Sequence, residues 1–151
     1  MEWKLKSYEE LSKEELYRII KLRIDVFIVE QNCPYHRLDD MDEKAHHLFL
    51  DQEGEISAYC RLFSSGVVDK EASIGRVIVR KQDRGKGWAK TLLEKALGFL
   101  ESEWGETAVK ISAQDYLRSF YGLFGFKEVS EVYLEDGIPH VDMVKTPLTE
   151  N

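Results

Sequence analysis

The sequence predicts an α/β (α+β) three-layer fold: a mixed, mostly antiparallel sheet with helices on both faces and one parallel βαβ crossover. Three observations carry this. Several short runs alternate apolar and polar residues, as half-buried strands do. Two longer stretches, residues 13–29 and 88–100, carry apolar residues at helical spacing. The second of these lies between β-branched runs at residues 74–79 and 107–113. Those two strands should therefore be parallel, joined by a right-handed crossover, while the shorter connections elsewhere require antiparallel pairs.

The elements follow in order. Trp3 and Leu5 alternate with Lys4 and Lys6, a first strand. Ser12 and Glu15 form a capping box for a helix with Leu16, Ile19, Ile20 and Phe27 on one face, running to about Val29. Arg23 or Ile24 completes that face, and Arg23 either snorkels or pairs with an acid at the helix edge. Pro34 ends any helix. Asp39, Asp40, Asp42 and Glu43 then make an acidic segment, read either as a solvated loop or as a substrate loop drawing in a cationic amine. It has neither the glycine nor the distant glutamate of an EF-hand, so no metal is expected.

Residues 46–51 and 56–63 flank the turn sequence QEGE and predict an antiparallel hairpin. His46, at its start, reads as a structural histidine or as a base. After the second helix, residues 102–106 read as a polar turn and residues 107–113 as a strand. Tyr116, Leu117, Phe120, Tyr121 and Phe124 space a short helix, with Gly125 as its stop. Residues 126–134 read as one strand, Glu135, Asp136 and Gly137 as a turn, and residues 140–145 as the closing strand of a hairpin.

Length and charge bound the function. The 151 residues are expected to form one domain spanning residues 1–151, with room for a proper core. A net charge of −7 argues against nucleic acid or an anionic membrane as a partner, since both require a broad basic face. No apolar run reaches transmembrane length and the first residues are too polar for a signal peptide. Cys33 and Cys60 lack CxxC or zinc spacing and read as reduced thiols, consistent with a cytoplasmic location.

The stretch IGRVIVRKQDRGKGWAKTLLEKALGFL, residues 74–100, concentrates the chemistry. A buried strand stops at Arg80, a turn carries Gly85 and Gly87, and an amphipathic helix follows. The N–H groups of that helix start have no partner inside the helix, and the helix dipole favours an anion there. Local charge is reversed as well: Arg76, Arg80, Lys81, Arg84, Lys86 and Lys90 stand against Asp83. The spacing is neither a Walker A loop nor a full GxGxxG turn; it is Q-x-x-G-x-G at Gln82, Gly85 and Gly87.

That pattern after a strand resembles motif A of the GNAT superfamily of N-acetyltransferases. AQDYLRSFYGLFGF resembles the family's motif B, and both occur in the family's order. RIDVFIVEQNCPY and EDGIPHVDM extend the resemblance over nearly the whole chain, to the ElaA-type subgroup of small bacterial acetyltransferases. The resemblance implies acetyl-CoA as co-substrate. Its pyrophosphate would sit on the backbone N–H groups of Arg84, Gly85, Lys86, Gly87, Trp88 and Ala89. Its pantetheine arm would pair with Val77, Ile78 and Val79, where the two parallel strands splay apart. Gln114 stands where many relatives carry a cofactor-touching asparagine.

The resemblance also implies amide formation by direct attack of an amine in a ternary complex, with neither cysteine as nucleophile. Tyr121 matches the family's tyrosine acid, and a strand N–H such as that of Val79 polarises the carbonyl. The base stays open among Glu30, His46, His140 and water, and Glu30 is also placed to orient the amine. A small-molecule or protein amine is the expected acceptor, and a homodimer a recurrent assembly. Two alternatives remain. One is a non-catalytic acyl-CoA sensor or partner-binding module. The other is an acyl-homoserine-lactone synthase, whose RxxVFxxE string Arg23, Val26, Phe27 and Glu30 fit.

Overall fold

The computed structural model describes residues 1–33 and 38–146; Pro34, read from the sequence as a helix stop, lies outside them. One sheet of eight strands organises the chain. From one edge it runs β1 (Glu2–Ser7), β2 (His46–Gln52), β3 (Glu55–Phe63), β4 (Ala72–Val79), β5 (Val109–Gln114), β8 (Ile138–Lys145) and β6 (Lys127–Glu128). β7 (Tyr133–Glu135) also pairs with β8. β4 and β5 are the parallel pair; the other described pairs are antiparallel. This is the mixed sheet with one crossover that the sequence predicts.

Strand alternation divides the core between the two faces. Leu48, Leu50, Ala58, Cys60 and Leu62 point to one face and meet Leu92, Leu93, Ala96 and Leu100 of helix α2 (Trp88–Trp104), with Tyr121 of α3 (Arg118–Gly122). Phe49, Ile56, Tyr59 and Ile78 point to the other and meet Ile19 and Leu22 of α1 (Lys13–Ile24), with Val26 and Phe27 beyond its end. Both hairpin turns have two consecutive residues of positive φ, Glu53 (54°) with Gly54 (88°) and Asp136 (52°) with Gly137 (77°). That is the type I′ geometry matched to strand twist.

The capping box forms: the Ser12 side chain accepts from the Glu15 N–H at 3.0 Å, and the Glu15 carboxylate accepts from the Ser12 N–H. Glu15 also takes Lys4 and Lys6 of β1, at 3.1 and 2.9 Å, so one carboxylate ties the helix start to the sheet edge. Burial alone would raise its pKa; the Ser12 N–H and the two ammonium groups bring it down to about 2. Ser12→Ala is expected to lower unfolding stability by about 1 kcal/mol, read from urea midpoints.

Several boundaries differ from the sequence expectation; β8 starts two residues early, at Ile138, and the aromatic helix is a 3₁₀ turn at Asp115–Leu117 followed by α3. The first helix does reach Glu30, but Asp25–Glu30 is π-helical. The N–H groups of Gln31 and Cys33 reach back five residues, to the carbonyls of Val26 and Ile28. α2 continues through the expected turn to Trp104 and ends on Gly105 at φ 66°. The strand expected at residues 107–113 starts at Val109, with the Ala108 carbonyl already spent on the Ala72 N–H. The strand expected at residues 126–134 is split into β6 and β7. There the Ser130 hydroxyl takes the Asp142 N–H at 2.9 Å, displacing a ladder bond. Among the described residues no helix is long and apolar enough to cross a membrane.

The acidic segment is not a free solvated loop. Asp42 binds Arg23 at 2.8 Å and Arg61 at 2.9 Å, and Asp39 binds Arg61 and Arg76. Arg23 is only 1% exposed, so it is a buried paired arginine and does not snorkel. It takes the inward position, and Ile24 is exposed.

Candidate active site

The site begins with a sheet that comes apart. β4 and β5 share the pairs Ala72 with Val109 and Ser73 with Lys110 and no further ones. Beyond these, β4 stays bonded to β3 as far as Val79, and β5 to β8 as far as Gln114. The strands therefore diverge, and the β5-side edge of Val77, Ile78 and Val79 borders the cleft, with the Val79 carbonyl accepting from Arg84 Nε at 3.0 Å.

A bulge in β4 sets the faces of that edge. Gly75 opposes Arg61 and Ile78 opposes Tyr59, so two β4 residues, Arg76 and Val77, oppose Cys60 alone. Arg76 carries φ 53°, in the left-handed region. The extra residue puts Ile74, Val77 and Val79 against the α2 side while Ile78 faces α1. Sequence reasoning missed this bulge, for Gly75 sits beside it but does not take the unusual conformation.

The divergence opens a cleft of about 1090 Å³. At one end lies the turn into α2. Gly85 and Gly87 have φ of 83° and 81°, and a Cβ added at either would meet nothing within 4 Å, so the backbone conformation, not crowding, requires glycine. Gly87 is the N-cap of α2 and offers no side chain to its N–H groups, so those of the first turn remain available to an anion. Asp83 pins the turn from behind, with Arg80 at 2.7 Å and Lys86 at 3.3 Å. Burial pushes its pKa up, but Arg80, Ser57 and Lys86 prevail and hold it below the ordinary value.

The predicted residues fall into three groups. Val77, Ile78, Val79, Arg84, Gly85, Gly87, Trp88, Ala89, Gln114, Tyr121, Glu30 and His140 all line the cleft. Gln82 lies instead in a smaller recess between α1 and the turn, and the Lys86 side chain points to solvent and Asp83. The Arg84 N–H is turned to the Lys81 carbonyl at 3.4 Å. His46 is outside the cleft, against Phe99 and Trp104 on the α2 side at 6.0 and 4.9 Å. Its place among the candidate bases is therefore given up.

Among the groups in the cleft, Glu30 is engaged by Arg84 through two hydrogen bonds of 2.6 and 2.9 Å, and that guanidinium lowers its pKa. A carboxylate so held is a weak base and a good staple between α1 and the turn. Tyr121 is 5% exposed, and burial pushes its phenol pKa well above the ordinary value. His140 directs Nδ1 at the Ile138 carbonyl, 2.7 Å away. A carbonyl only accepts, so Nδ1 carries a proton, and in the neutral ring Nε2 is then the nitrogen with the lone pair. Beyond His140 the wall is polar: Ser112, Gln114, Tyr133 and Asp142 share one face of β5, β7 and β8. The alternation of His140 and Asp142 was the available signal for this wall, and sequence reasoning used only the histidine.

An open parallel-strand edge, a glycine turn at a helix N-terminus and a buried tyrosine in one cleft define the acyl-CoA N-acyltransferase fold class. The acetyltransferase (GNAT) domain family model matches residues 8–147, and the chain belongs to that family. It is 40% identical over 147 residues to Protein ElaA of Escherichia coli, covering 96% of each chain. A crystal structure of an acyl-CoA N-acyltransferase from Pseudomonas aeruginosa superposes with a TM-score of 0.92 at 41% identity, covering 96% of this chain and 99% of that one. The crystal structure of Escherichia coli ElaA gives 0.89 at 39% identity, with coverage of 96% and 99%. Within the family the chain is ElaA-like, as its sequence resemblance implies.

Proposed function

We propose that this protein transfers the acetyl group of acetyl-CoA to a primary amine by direct attack in a ternary complex. The observation that carries this is the convergence of the open β4 edge, the α2 N-terminus and Tyr121 on one continuous cleft. The residues fit the co-substrate. The turn offers donors to a pyrophosphate, and the strand edge offers paired N–H and C=O groups to an amide-bearing arm. The Trp88 indole N–H, buried and without a partner among the described residues, belongs to a cleft-lining side chain.

Acetyl-CoA supplies an activated acyl group as a thioester. The amine nitrogen forms the new C–N bond, the C–S bond breaks, and the amine gives up one proton. His140 Nε2 takes that proton. Tyr121 donates a hydrogen bond from its hydroxyl to the departing sulfur, and the thiolate that leaves takes its proton from solvent. A backbone N–H at the open edge, that of Val79 or a neighbour, stabilises the oxyanion. Glu30, held by Arg84, orients the cleft and does not act as base. Asp39 and Asp42 are engaged by arginines, so these two carboxylates of the acidic segment serve the fold, while Asp40 and Glu43 stay exposed to a cationic acceptor.

The test is a screen of primary amines with acetyl-CoA, scored by release of free CoA thiol. At least one amine should give turnover well above hydrolysis; tight acetyl-CoA binding with no turnover for any amine would favour a sensor. Gly87→Val is expected to weaken acetyl-CoA binding about tenfold, because a left-handed non-glycine residue costs about 1–2 kcal/mol. Calorimetric titration with acetyl-CoA checks this, and an unchanged Kd would remove the turn from the site.

A further inference from the structure

We propose that Tyr133 is a positioning residue for His140, holding the imidazole so that Nε2 faces the amine. The inference rests on His140 as the proton acceptor in the reaction proposed above. Tyr133 and His140 are cross-strand partners on β7 and β8, with ring centroids 6.2 Å apart and planes inclined by 26°, a stacked pair. Gln114 is the partner of His140 on its other side. The imidazole thus has a ring on one flank, a strand on the other, and its Nδ1–H tied to the Ile138 carbonyl at 2.7 Å.

What fixes Tyr133 itself is its hydroxyl. It donates to Asp142 at 2.6 Å and meets the Ser112 hydroxyl at 2.5 Å. Asp142 and Ser112 are themselves paired in register between β8 and β5. β7 is three residues long and bonded to β8, so the strand alone is a weak anchor for a ring that must hold its plane. The hydroxyl supplies the missing constraint by fastening the ring across β8 to β5. Burial and the Asp142 carboxylate push the phenol pKa up to about 12, so the hydroxyl stays a donor through the neutral range. Tyr133 therefore transmits the rigidity of the β5–β8 pair to the His140 imidazole.

The charged groups that line the cleft from the elements around His140 are Glu135 on β7, Asp142 on β8, Lys110 on β5 and Glu30 at the end of the first helix; Lys145, at the far end of β8, lies outside the lining. Lys110 is occupied by Asp69 at 3.2 Å and approaches Asp142 at 3.7 Å. These ion pairs hold Asp142 as an acceptor for the Tyr133 hydroxyl.

The test compares Tyr133→Phe, which keeps the stacked ring, with Tyr133→Leu, which removes ring and hydroxyl. Imidazole nitrogen chemical shifts, assigned by their loss in His140→Gln, report the tautomer without any acceptor. The wild type should show the Nδ1–H form, Tyr133→Phe a partial mixture and Tyr133→Leu a fuller one. With an amine found in the screen, Tyr133→Leu should lower kcat about tenfold with KM for acetyl-CoA unchanged, and Tyr133→Phe should recover part of the loss. Both variants retaining the Nδ1–H signature would overturn the positioning role, even if Tyr133→Leu proved unstable, since Tyr133→Phe alone must show the mixture. If the tautomer shifts but His140→Gln keeps full turnover, the proton acceptor lies elsewhere. The proposal then falls with the underlying reading, by a result distinct from the first.

Discussion

Asp42→Ala is expected to lower the unfolding free energy by about 3–5 kcal/mol, the effect of removing one partner from a buried ion pair. The geometry argues for the full range. The Asp42 Oδ1 accepts from Arg23 at 2.8 Å and from Arg61 at 2.9 Å, and the Arg23 side chain is 2% exposed. The Arg23 guanidinium also lies 6.0 Å from the Tyr59 ring centroid, in a buried setting. Removing that carboxylate strips charge compensation from a group that cannot deprotonate to escape the cost.

The network around Asp42 continues through its backbone. The Asp42 carbonyl accepts from His47 Nε2 at 3.0 Å, which leaves His47 Nδ1 to accept from the Tyr59 hydroxyl at 2.7 Å. Burial lowers the His47 pKa and keeps the imidazole neutral, as this bonding requires. Burial by itself would raise the Asp42 pKa, but Arg23 and Arg61 together hold it below 3.8; Arg61 likewise holds Asp39 well below the carboxylate range. Both carboxylates are more acidic folded than unfolded. Their contribution is present above the unfolded value and is lost as pH falls through the folded one. The wild type should therefore weaken below about pH 4. Asp42→Asn should be less stable at neutral pH and show a shallower acid loss. Urea unfolding at pH 7 and pH 3 checks both statements, and a wild-type midpoint for Asp42→Ala would show that the network contributes little.

This same network marks the boundary of what the chain reveals when read residue by residue. The capping box, the two hairpin turns and the glycine turn before α2 were legible because each is decided within a few residues by caps, φ constraints or periodicity. The crossover followed from the order of strand, helix and strand. The partner of Arg23 was not legible, because Asp42 lies 19 positions away and only the fold brings it near. The π-helical turn and the Arg76 bulge escaped for a related reason. Neither has a composition signal, since each arises where a helix end or a strand must adjust to its neighbours. Both occur at the cleft, where Val26, Phe27 and Arg76 form part of the lining. The residues that hold a substrate end of a site depend most on such adjustments. The phosphate turn was consequently better predicted than the acceptor wall, where Tyr133 and Asp142 went unread.

Tyr121→Phe should reduce turnover at least tenfold and leave acetyl-CoA affinity and the unfolding midpoint nearly unchanged. The substitution is a clean one here. Tyr121 packs edge-on against Phe120 at 5.3 Å and Phe126 at 6.1 Å, contacts that a phenylalanine ring repeats, so the hydroxyl is the only group lost. A core aromatic with no chemical role would tolerate that loss or gain from it, since a buried hydroxyl is costly when unpaired. The raised phenol pKa sharpens the expected size. A free alkyl thiol titrates near 8.5, below the phenol, so complete proton transfer from Tyr121 to the sulfur is uphill. Its work is then hydrogen-bond donation to charge developing on sulfur, which places the loss near the lower end of the roughly 10²–10⁴ range for general acids, or somewhat beneath it. Because burial raises this pKa, the donor form persists through neutral and mildly alkaline pH, and Tyr121 should impose no alkaline fall in rate below about pH 10. Steady-state rates across pH with an amine that supports turnover, alongside calorimetric acetyl-CoA binding, separate the two roles. An unaltered kcat in Tyr121→Phe returns this residue to the core.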